Sequence, residues 1–179
     1  MEIYLAWRGL SLPSDAPLRF HLACPRGAER LPAMLALMTD PLTGEPCGVH
    51  RTFLAPNGQG KAPGQAKMMA GRAGVVRLVP DAEVTMGLGL AEGIETSLAI
   101  MQRAGWRPVW AATSAGAIRT FPVLAGIEEL TIFADADDKG AGVAAALACA
   151  ECWSELARRV TVLEPPIGAD FDSATGRAA

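Results

Sequence analysis

Apolar positions follow two different rhythms along the chain, and the first lasts until about residue 80. One short helical stretch lies near residues 4–9. Turn residues such as Asp-Pro-Leu-Thr-Gly at 40–44 and Asn-Gly-Gln-Gly at 57–60 mark reversals between strand-length runs. Those runs predict four strands, at residues 18–23, 33–39, 49–54 and 75–79. The first part is therefore expected to be a small α+β module with an antiparallel tendency.

The second part alternates short apolar strands with helical stretches. Helical spacing covers residues 94–104, and an alanine-rich helix is expected over residues 140–158. The strands are predicted at residues 88–91, 108–112, 130–134 and 160–163. Strands that alternate with helices are typical of a parallel sheet with both faces covered. We predict an α/β chain, with the α+β module at residues 1–84 and a parallel-sheet domain at residues 85–179.

Composition indicates a folded, intracellular protein. Half of the 179 residues are apolar and a fifth are charged, which is ordinary for a globular chain. No apolar run reaches the ~18 residues of a membrane span, and the start of the chain, with Glu2 and Arg8, does not resemble a secretory signal. Four cysteines without a dense framework fit a reducing compartment. We therefore expect a cytoplasmic location and no membrane partner.

Charge is unevenly distributed although the net value is only −3. The segment between Glu45 and Asp81 contains no acid, whereas the second half of the chain is rich in acids. This division suits a protein that holds metal on one side and a polyanion on the other, although a merely solvated basic face would give the same pattern. The candidate phosphate contacts in the basic segment are Arg51, Lys61, Lys67 and Arg72.

Acidic residues directly follow three predicted strands of the second part. Glu92 follows the first strand, Asp135 and Asp137 follow the third, and Asp170 and Asp172 follow the last. Ligands of parallel sheets bind at the carboxyl ends of the strands, and Mg²⁺ takes carboxylate oxygens together with water and phosphates. The pattern favours a metal site at this edge, against the alternative of solvated loop acids.

Glycines beside these acids would let phosphates approach the backbone. Gly93 follows the first acid, and Gly140 and Gly142 open the alanine-rich helix, whose N-terminal N–H groups could bind an anion. Glu95 is expected to be an ordinary first-turn acid favoured by the helix dipole.

This order of motifs resembles a known family. Glu-Gly after one strand, followed by Asp-x-Asp-x-x-Gly after a later strand and a helix of small residues, resembles the Toprim domain of bacterial-type primases, type IA and type II topoisomerases and some nucleases. The run WAATSAGAI at 110–118 is similar to the Toprim segment between those motifs. The resemblance covers about residues 86–175 and implies a Rossmann-like sheet, with Glu92 as the catalytic glutamate and Asp135 and Asp137 as metal-binding aspartates.

The first half resembles the module that precedes Toprim in primases and primase–helicases of phages, plasmids and other mobile elements. The phrases that carry this likeness are LRFH, DPLTGEPCGVHRTFL, GKAP and VVRL. One motif departs from that branch, which usually has Gly-Lys-Asp-x-Asn-Asp where this chain has Gly-Ala-Asp-Phe-Asp at 168–172. The chain also shows neither the zinc finger nor the helicase of longer relatives.

The two resemblances together imply a primase-type nucleotidyltransferase, that is, a DNA-directed RNA polymerase active in DNA replication. Its partners would be single-stranded DNA, nucleoside triphosphates and a helicase or other replication protein. Its cofactor would be Mg²⁺ or Mn²⁺, held by Glu92, Asp135 and Asp137 together with Asp170 or Asp172, which would stabilise the attacking hydroxyl and the leaving pyrophosphate.

Two alternative functions stay open, a metal-dependent nuclease and a non-catalytic accessory module that binds nucleic acid. Topoisomerase chemistry is disfavoured because it needs a nucleophilic tyrosine, and Tyr4 in the first turns is the only one.

Zinc is a further alternative for the first half. His21 with Cys24, and Cys47 with His50, form two pairs with zinc-like internal spacing. Each pair lies in or beside a predicted strand rather than in a tight turn, which disfavours zinc without excluding it.

Overall fold

The computed structural model describes residues 1–135, 140–165 and 171 and contains two β-sheets. Of the predicted site residues, Asp137, Asp170 and Asp172 lie outside this described part. Within it, no helix combines the length and the apolar character needed to cross a bilayer.

The N-terminal module is a four-stranded antiparallel sheet preceded by one short helix, α1 (Glu2–Trp7). The strands occur in the sheet in the same order as in the chain. They are β1 (Leu18–Arg26), β2 (Glu29–Thr39), β3 (Pro46–Phe53) and β4 (Lys67–Gly71).

β1 and β2 are longer than the pattern predicts, and the additional residues of each strand include a proline. Pro25 lies in β1, an edge strand, which is where proline is tolerated in a sheet. Pro32 in β2 lies opposite the irregularity between His21 and Cys24. β4 lies outside the strands predicted from the sequence, and it pairs with β3 and forms the other edge of the sheet.

The second sheet is mainly parallel and confirms the predicted α/β class. Its order is β5-β7-β6-β8-β9, in which β5 pairs antiparallel with β7 and all other pairs are parallel. The strands are β5 (Val76–Arg77), β6 (Gly87–Ala91), β7 (Val109–Ala111), β8 (Glu129–Phe133) and β9 (Arg159–Leu163). A 3-10 turn at Asp81–Glu83 separates β5 from β6.

The helices α2 (Ile94–Arg103), α3 (Ala115–Arg119) and α4 (Ala141–Glu155) accompany this sheet. The sequence predicted α2 and α4 but not α3. Five residues are too few for a clear helical period, and α3 is defined instead by its cap, where the Ser114 side chain accepts a hydrogen bond from the Ala117 N–H at 3.1 Å.

Hydrogen bonds and a continuous core join the two sheets. Thr39 at the end of β2 and Val75 exchange two backbone hydrogen bonds of 2.9 Å. The Gln102 side chain on α2 accepts from the Ser11 N–H and donates to the Ser11 carbonyl, both at 2.8 Å. One apolar cluster runs from Leu5 on α1 through both sheets to α4, so the N-terminal module packs directly on the parallel-sheet domain.

Trp153 on α4 is a large, fully buried residue of this core. Its ring stacks on that of Phe121, and its indole N–H donates to the Phe121 carbonyl at 3.2 Å. Trp153→Ala should therefore lower the free energy of unfolding by ~3–5 kcal/mol in urea titrations. Trp7→Ala is the matched control, because Trp7 is 56% exposed, and should change stability by only ~0.5 kcal/mol. Equal losses would contradict this packing.

Candidate functional site

Two carboxylates lie on neighbouring strand ends at the carboxyl edge of the parallel sheet. β6 and β8 are adjacent, parallel and in register, with Ala91 opposite Phe133. Glu92 directly follows Ala91, and Asp135 comes two residues after Phe133. Because neighbouring strands are ~4.8 Å apart, the backbone brings these two acids to the same short stretch of the edge.

β7 holds the backbone of Glu92 from the other side. The Thr113 N–H donates to the Glu92 carbonyl at 2.9 Å, and the Thr113 hydroxyl donates to the Gly74 carbonyl at 3.3 Å. Thr113 has a φ of 71°, a strained conformation for a β-branched residue. Such strain persists only where surrounding contacts enforce it, often at functional sites. Sequence reasoning missed this residue because its conformation leaves no apolar pattern.

The start of α4 lies directly against Asp135. Gly140 caps the helix with a φ of 66°, and a Cβ added at Gly142 would lie 2.4 Å from the Asp135 carbonyl oxygen. Glycine at 142 therefore permits the helix to begin beside the strand end. The N–H groups of this first turn carry the positive end of the helix dipole, which suits an anion near Asp135.

The donor chemistry at this edge fits a hard divalent cation. Glu92 and Asp135 supply carboxylate oxygens, the ligand type that Mg²⁺ prefers. Within residues 1–135, 140–165 and 171, no three His, Cys, Asp or Glu side chains form a complete metal-binding group. Phe171, which stands between Asp170 and Asp172 in the sequence, contacts the Phe133 ring edge-on at 5.3 Å.

The four predicted phosphate contacts have different surroundings. Arg51 donates to the Pro25 and Met69 carbonyls at 3.1 and 3.4 Å. Arg72 pairs with Asp40 at 3.1 Å but keeps 70% of its side chain exposed. Lys67 is exposed on the edge strand β4, and Lys61, 30% exposed, lies in the loop before it.

A buried charged cluster, missed by sequence reasoning, lies between the two modules. Glu95 in the first turn of α2 is only 3% exposed, so it is not an ordinary solvated helix-start acid. Its Oε1 atom accepts from the Tyr4 hydroxyl at 2.7 Å and lies 3.2 Å from Lys61 Nζ. His50 on β3 is also buried. We call Tyr4, His50, Lys61 and Glu95 the seam cluster.

The electrostatics of the seam cluster keep Glu95 charged. Burial alone would raise the pKa of Glu95, but Lys61, Lys67 and the Tyr4 hydroxyl lower it to about 2. Burial, followed by Lys67, lowers the pKa of His50 to about 4, so this side chain is neutral near pH 7. Burial also lowers the pKa of Lys61, while Glu95 opposes that effect.

Two alternative readings of the first half lose support here. Burial and then Glu95 raise the pKa of Tyr4 far above its ordinary value. A buried hydroxyl that does not ionise is a poor nucleophile, which disfavours topoisomerase chemistry. The four residues of the zinc alternative lie on β1 and β3 with β2 between these strands, and no three of them form a metal-binding group. Cys24 packs with Phe53 in a small apolar cluster.

Comparison with known proteins gives the family. Residues 87–179 match the family described as Toprim domain, and residues 1–78 match a domain of unknown function (DUF7146). Because the Toprim match spans more than half of the chain, this protein belongs to the Toprim family, and the resemblance seen in the sequence is confirmed. Toprim domains typically bind divalent metals, and membership supports a function related to nucleic acid.

Solved structures include one with a similar chain. It is a bacteriophage T7 structure described as the lagging-strand DNA polymerase interacting with primase domains of two gp4 subunits bound to an RNA/DNA hybrid and dTTP. The alignment has a TM-score of 0.47 and 12% identity, and covers 87% of this chain and 84% of that chain. No curated protein matches this chain.

The close approach of α4 to Asp135 can be tested with one methyl group. In Gly142→Ala, the added Cβ must displace either the helix or the strand end, which should cost ~1–3 kcal/mol of unfolding free energy in urea titrations. Gly116→Ala is the control, because a Cβ there meets nothing closer than 3.9 Å and alanine favours a helix. A Gly142→Ala protein as stable as the wild type would contradict the placement of α4.

Proposed function

We propose that this protein is a primase-type nucleotidyltransferase domain that acts on single-stranded DNA with Mg²⁺ or Mn²⁺. The observation that carries the proposal is the in-register pairing of β6 and β8, which sets Glu92 and Asp135 side by side at the carboxyl edge. The primase branch is favoured over other Toprim branches because a module resembling the one that precedes Toprim in primases occupies the first half. We place the boundary between residues 84 and 85, after the 3-10 turn at Asp81–Glu83.

The proposed metal ligands are Glu92, Asp135 and Asp137, joined by Asp170 or Asp172. The last two are included because they follow the final strand in the sequence, as Glu92 and Asp135 follow two others. Bound divalent metal would supply charge neutralisation to the phosphates and the leaving pyrophosphate. The start of α4 would add N–H groups that favour an anion at the same edge.

Phosphate contacts of the nucleic acid are assigned to the basic segment. Lys61, Lys67 and Arg72 keep exposed surface, whereas the Arg51 guanidinium donates to two backbone carbonyls and lies 5.7 Å from the Phe53 ring centre. Arg51 would therefore bind phosphate only through its remaining donors. Catalysis would consist mainly of positioning and charge neutralisation, as in other phosphoryl transfers.

The direct test is incubation with single-stranded DNA, labelled nucleoside triphosphates and Mg²⁺ or Mn²⁺, scored for synthesis and cleavage in the same reaction. We expect short oligonucleotides, with a higher yield when a replicative helicase is added, because a small domain with few cations supplies little binding energy for a template and two nucleotides. Cleavage without incorporation would establish the nuclease alternative. Binding without either reaction would establish the accessory-module alternative.

Neutralising the acids at the strand ends should abolish metal-dependent synthesis. Glu92→Gln and Asp135→Asn each remove a negative charge from the proposed metal site, and we expect at least ~100-fold slower incorporation, equivalent to several kcal/mol of lost transition-state stabilisation. Glu129→Gln is the matched control, because Glu129 lies at the opposite end of β8 and pairs with Arg159. Unchanged incorporation in both acid variants would exclude this site.

The basic segment should determine the salt dependence of binding. Lys67→Ala and Arg72→Ala are each expected to reduce the slope of log K against log salt by ~0.7 for a single strand, measured by fluorescence anisotropy. Arg159→Ala is the control, since this exposed arginine begins β9 and pairs with Glu129 at the end of the parallel sheet opposite the acids. An unchanged slope in Lys67→Ala and Arg72→Ala would mean that the segment is only a solvated face.

A further inference from the structure

The seam cluster contains a cation in surroundings that oppose its charge. The side chain of Lys61 is only 30% exposed, and burial lowers its pKa. Lys67 on β4 and Arg8, which directly follows α1, lower it further, because both are positive. An isolated lysine in such a place would give up its proton more readily than one on the surface.

Glu95 is the group that opposes this loss. Its charge raises the pKa of Lys61, and its Oε1 atom lies 3.2 Å from Nζ. The carboxylate is itself fixed by the Tyr4 hydroxyl at 2.7 Å. The position of Lys61 thus depends on a contact between the loop that precedes β4 and the first turn of α2.

The first turn of α2 also begins at the candidate metal edge. Glu95 comes three residues after Glu92, and the helix starts at Ile94 directly beyond the end of β6. A cation held by Glu95 therefore lies on the side of the sheet where strand-end ligands bind. Lys61 belongs to the N-terminal module, so this contact brings a residue of one module to the edge of the other.

We propose that Glu95 is a positioning residue that keeps Lys61 protonated and fixed at the seam, so that the N-terminal module supplies one phosphate-binding ammonium group to the strand-end site. The assignment rests on the proposed function for the identity of the ligand, a nucleotide or nucleic-acid phosphate. Glu95 does not contact the phosphate in this role. It acts through Lys61.

The test measures the pKa of Lys61 directly, without any activity assay. The chain has three lysines, Lys61, Lys67 and Lys139, so ¹³C-labelled lysine gives a simple NMR titration in which Lys61→Arg assigns the resonance. Glu95→Gln should lower the pKa of Lys61 by at least ~1, a tenfold change in the ionisation constant. The Gln amide oxygen can still accept from Tyr4, so the variant removes the charge while keeping the hydrogen bond.

Binding of inorganic tripolyphosphate without metal gives the second readout. Because the protonated lysine binds the anion, affinity falls as pH rises through the Lys61 pKa, and this fall should begin at lower pH in Glu95→Gln. At a pH below the Lys61 pKa that the NMR titration gives for each protein, affinity should recover at least to the wild-type value. The other groups that face Lys61 and Glu95 are Tyr4, Arg8, His50 and Lys67. Burial raises the pKa of Tyr4 and lowers that of His50 to about 4, so both are expected to stay neutral between pH 6 and 9.

Controls separate positioning from a structural role. Glu83→Gln neutralises an exposed acid paired with Arg107 and should leave the pKa of Lys61 unchanged. Tyr4→Phe removes a hydrogen bond but no charge, and should lower stability while the pKa of Lys61 changes by less than in Glu95→Gln. If Glu95→Gln does not fold, Glu95→Asp is the second variant. It keeps the negative charge, so Lys61 should retain most of its wild-type pKa.

An unchanged or raised Lys61 pKa in Glu95→Gln would overturn the inference, as would equal effects of Tyr4→Phe and Glu95→Gln. These outcomes are independent of catalysis. A protein that makes no oligonucleotides but shows the expected pKa change and pH-dependent tripolyphosphate binding would refute the proposed activity while supporting the role of Glu95.

Discussion

The in-register parallel pairing of β6 with β8 is the constraint on which the candidate site depends. It is stabilised by buried apolar residues of both strands, Leu88 and Leu90 on β6 and Leu130 and Ile132 on β8. A slip of one residue would move the strand ends by ~3.3 Å and turn every side chain to the opposite face. The burial of these four apolar residues therefore fixes the relative positions of the backbone at Glu92 and Asp135. The four side chains are aliphatic and carry no catalytic group.

The second constraint is the buried charge of Glu95. A carboxylate with 3% exposure is costly to desolvate, and it is tolerated only where cations and hydrogen-bond donors face it. Its partners come from α1 and from the loop before β4, and Tyr4 is 91 residues away in the chain. Removing Lys61 would leave this buried charge less well compensated. The N-terminal module is thus joined to α2 by a polar contact that apolar packing alone would not specify.

Close contacts between backbone segments surround Glu92 and Asp135 at the carboxyl edge of the parallel sheet. Thr113 is held in a left-handed conformation by bonds to Glu92 and Gly74, and Gly142 lets α4 begin against Asp135. These contacts fix the backbone on both sides of the paired strands. The carboxyl edge is therefore bounded by β7 on one flank and by the start of α4 on the other, with the seam cluster at the beginning of α2.

The sequence by itself determined the class of fold and the candidate acids, because both depend on local order. Short apolar strands alternating with helices predict a parallel sheet, and Glu92 and Asp135 directly follow two of those strands wherever the strands lie in space. The sequence did not determine the strand β4, the short helix α3, or the conformation of Thr113. These features depend on partners distant in the chain or on a single cap, and none leaves a periodic pattern.

Only the tertiary structure decided the surroundings of Glu95. In the sequence it is one of several acids in a first helical turn, a position that the helix dipole favours anywhere. Its burial and its contacts with Tyr4 and Lys61 arise because α1 and the loop before β4 lie against the first turn of α2. Local patterns specify which residues can form an element, whereas the cost of burying a charge is set by neighbours that the fold brings from elsewhere in the chain.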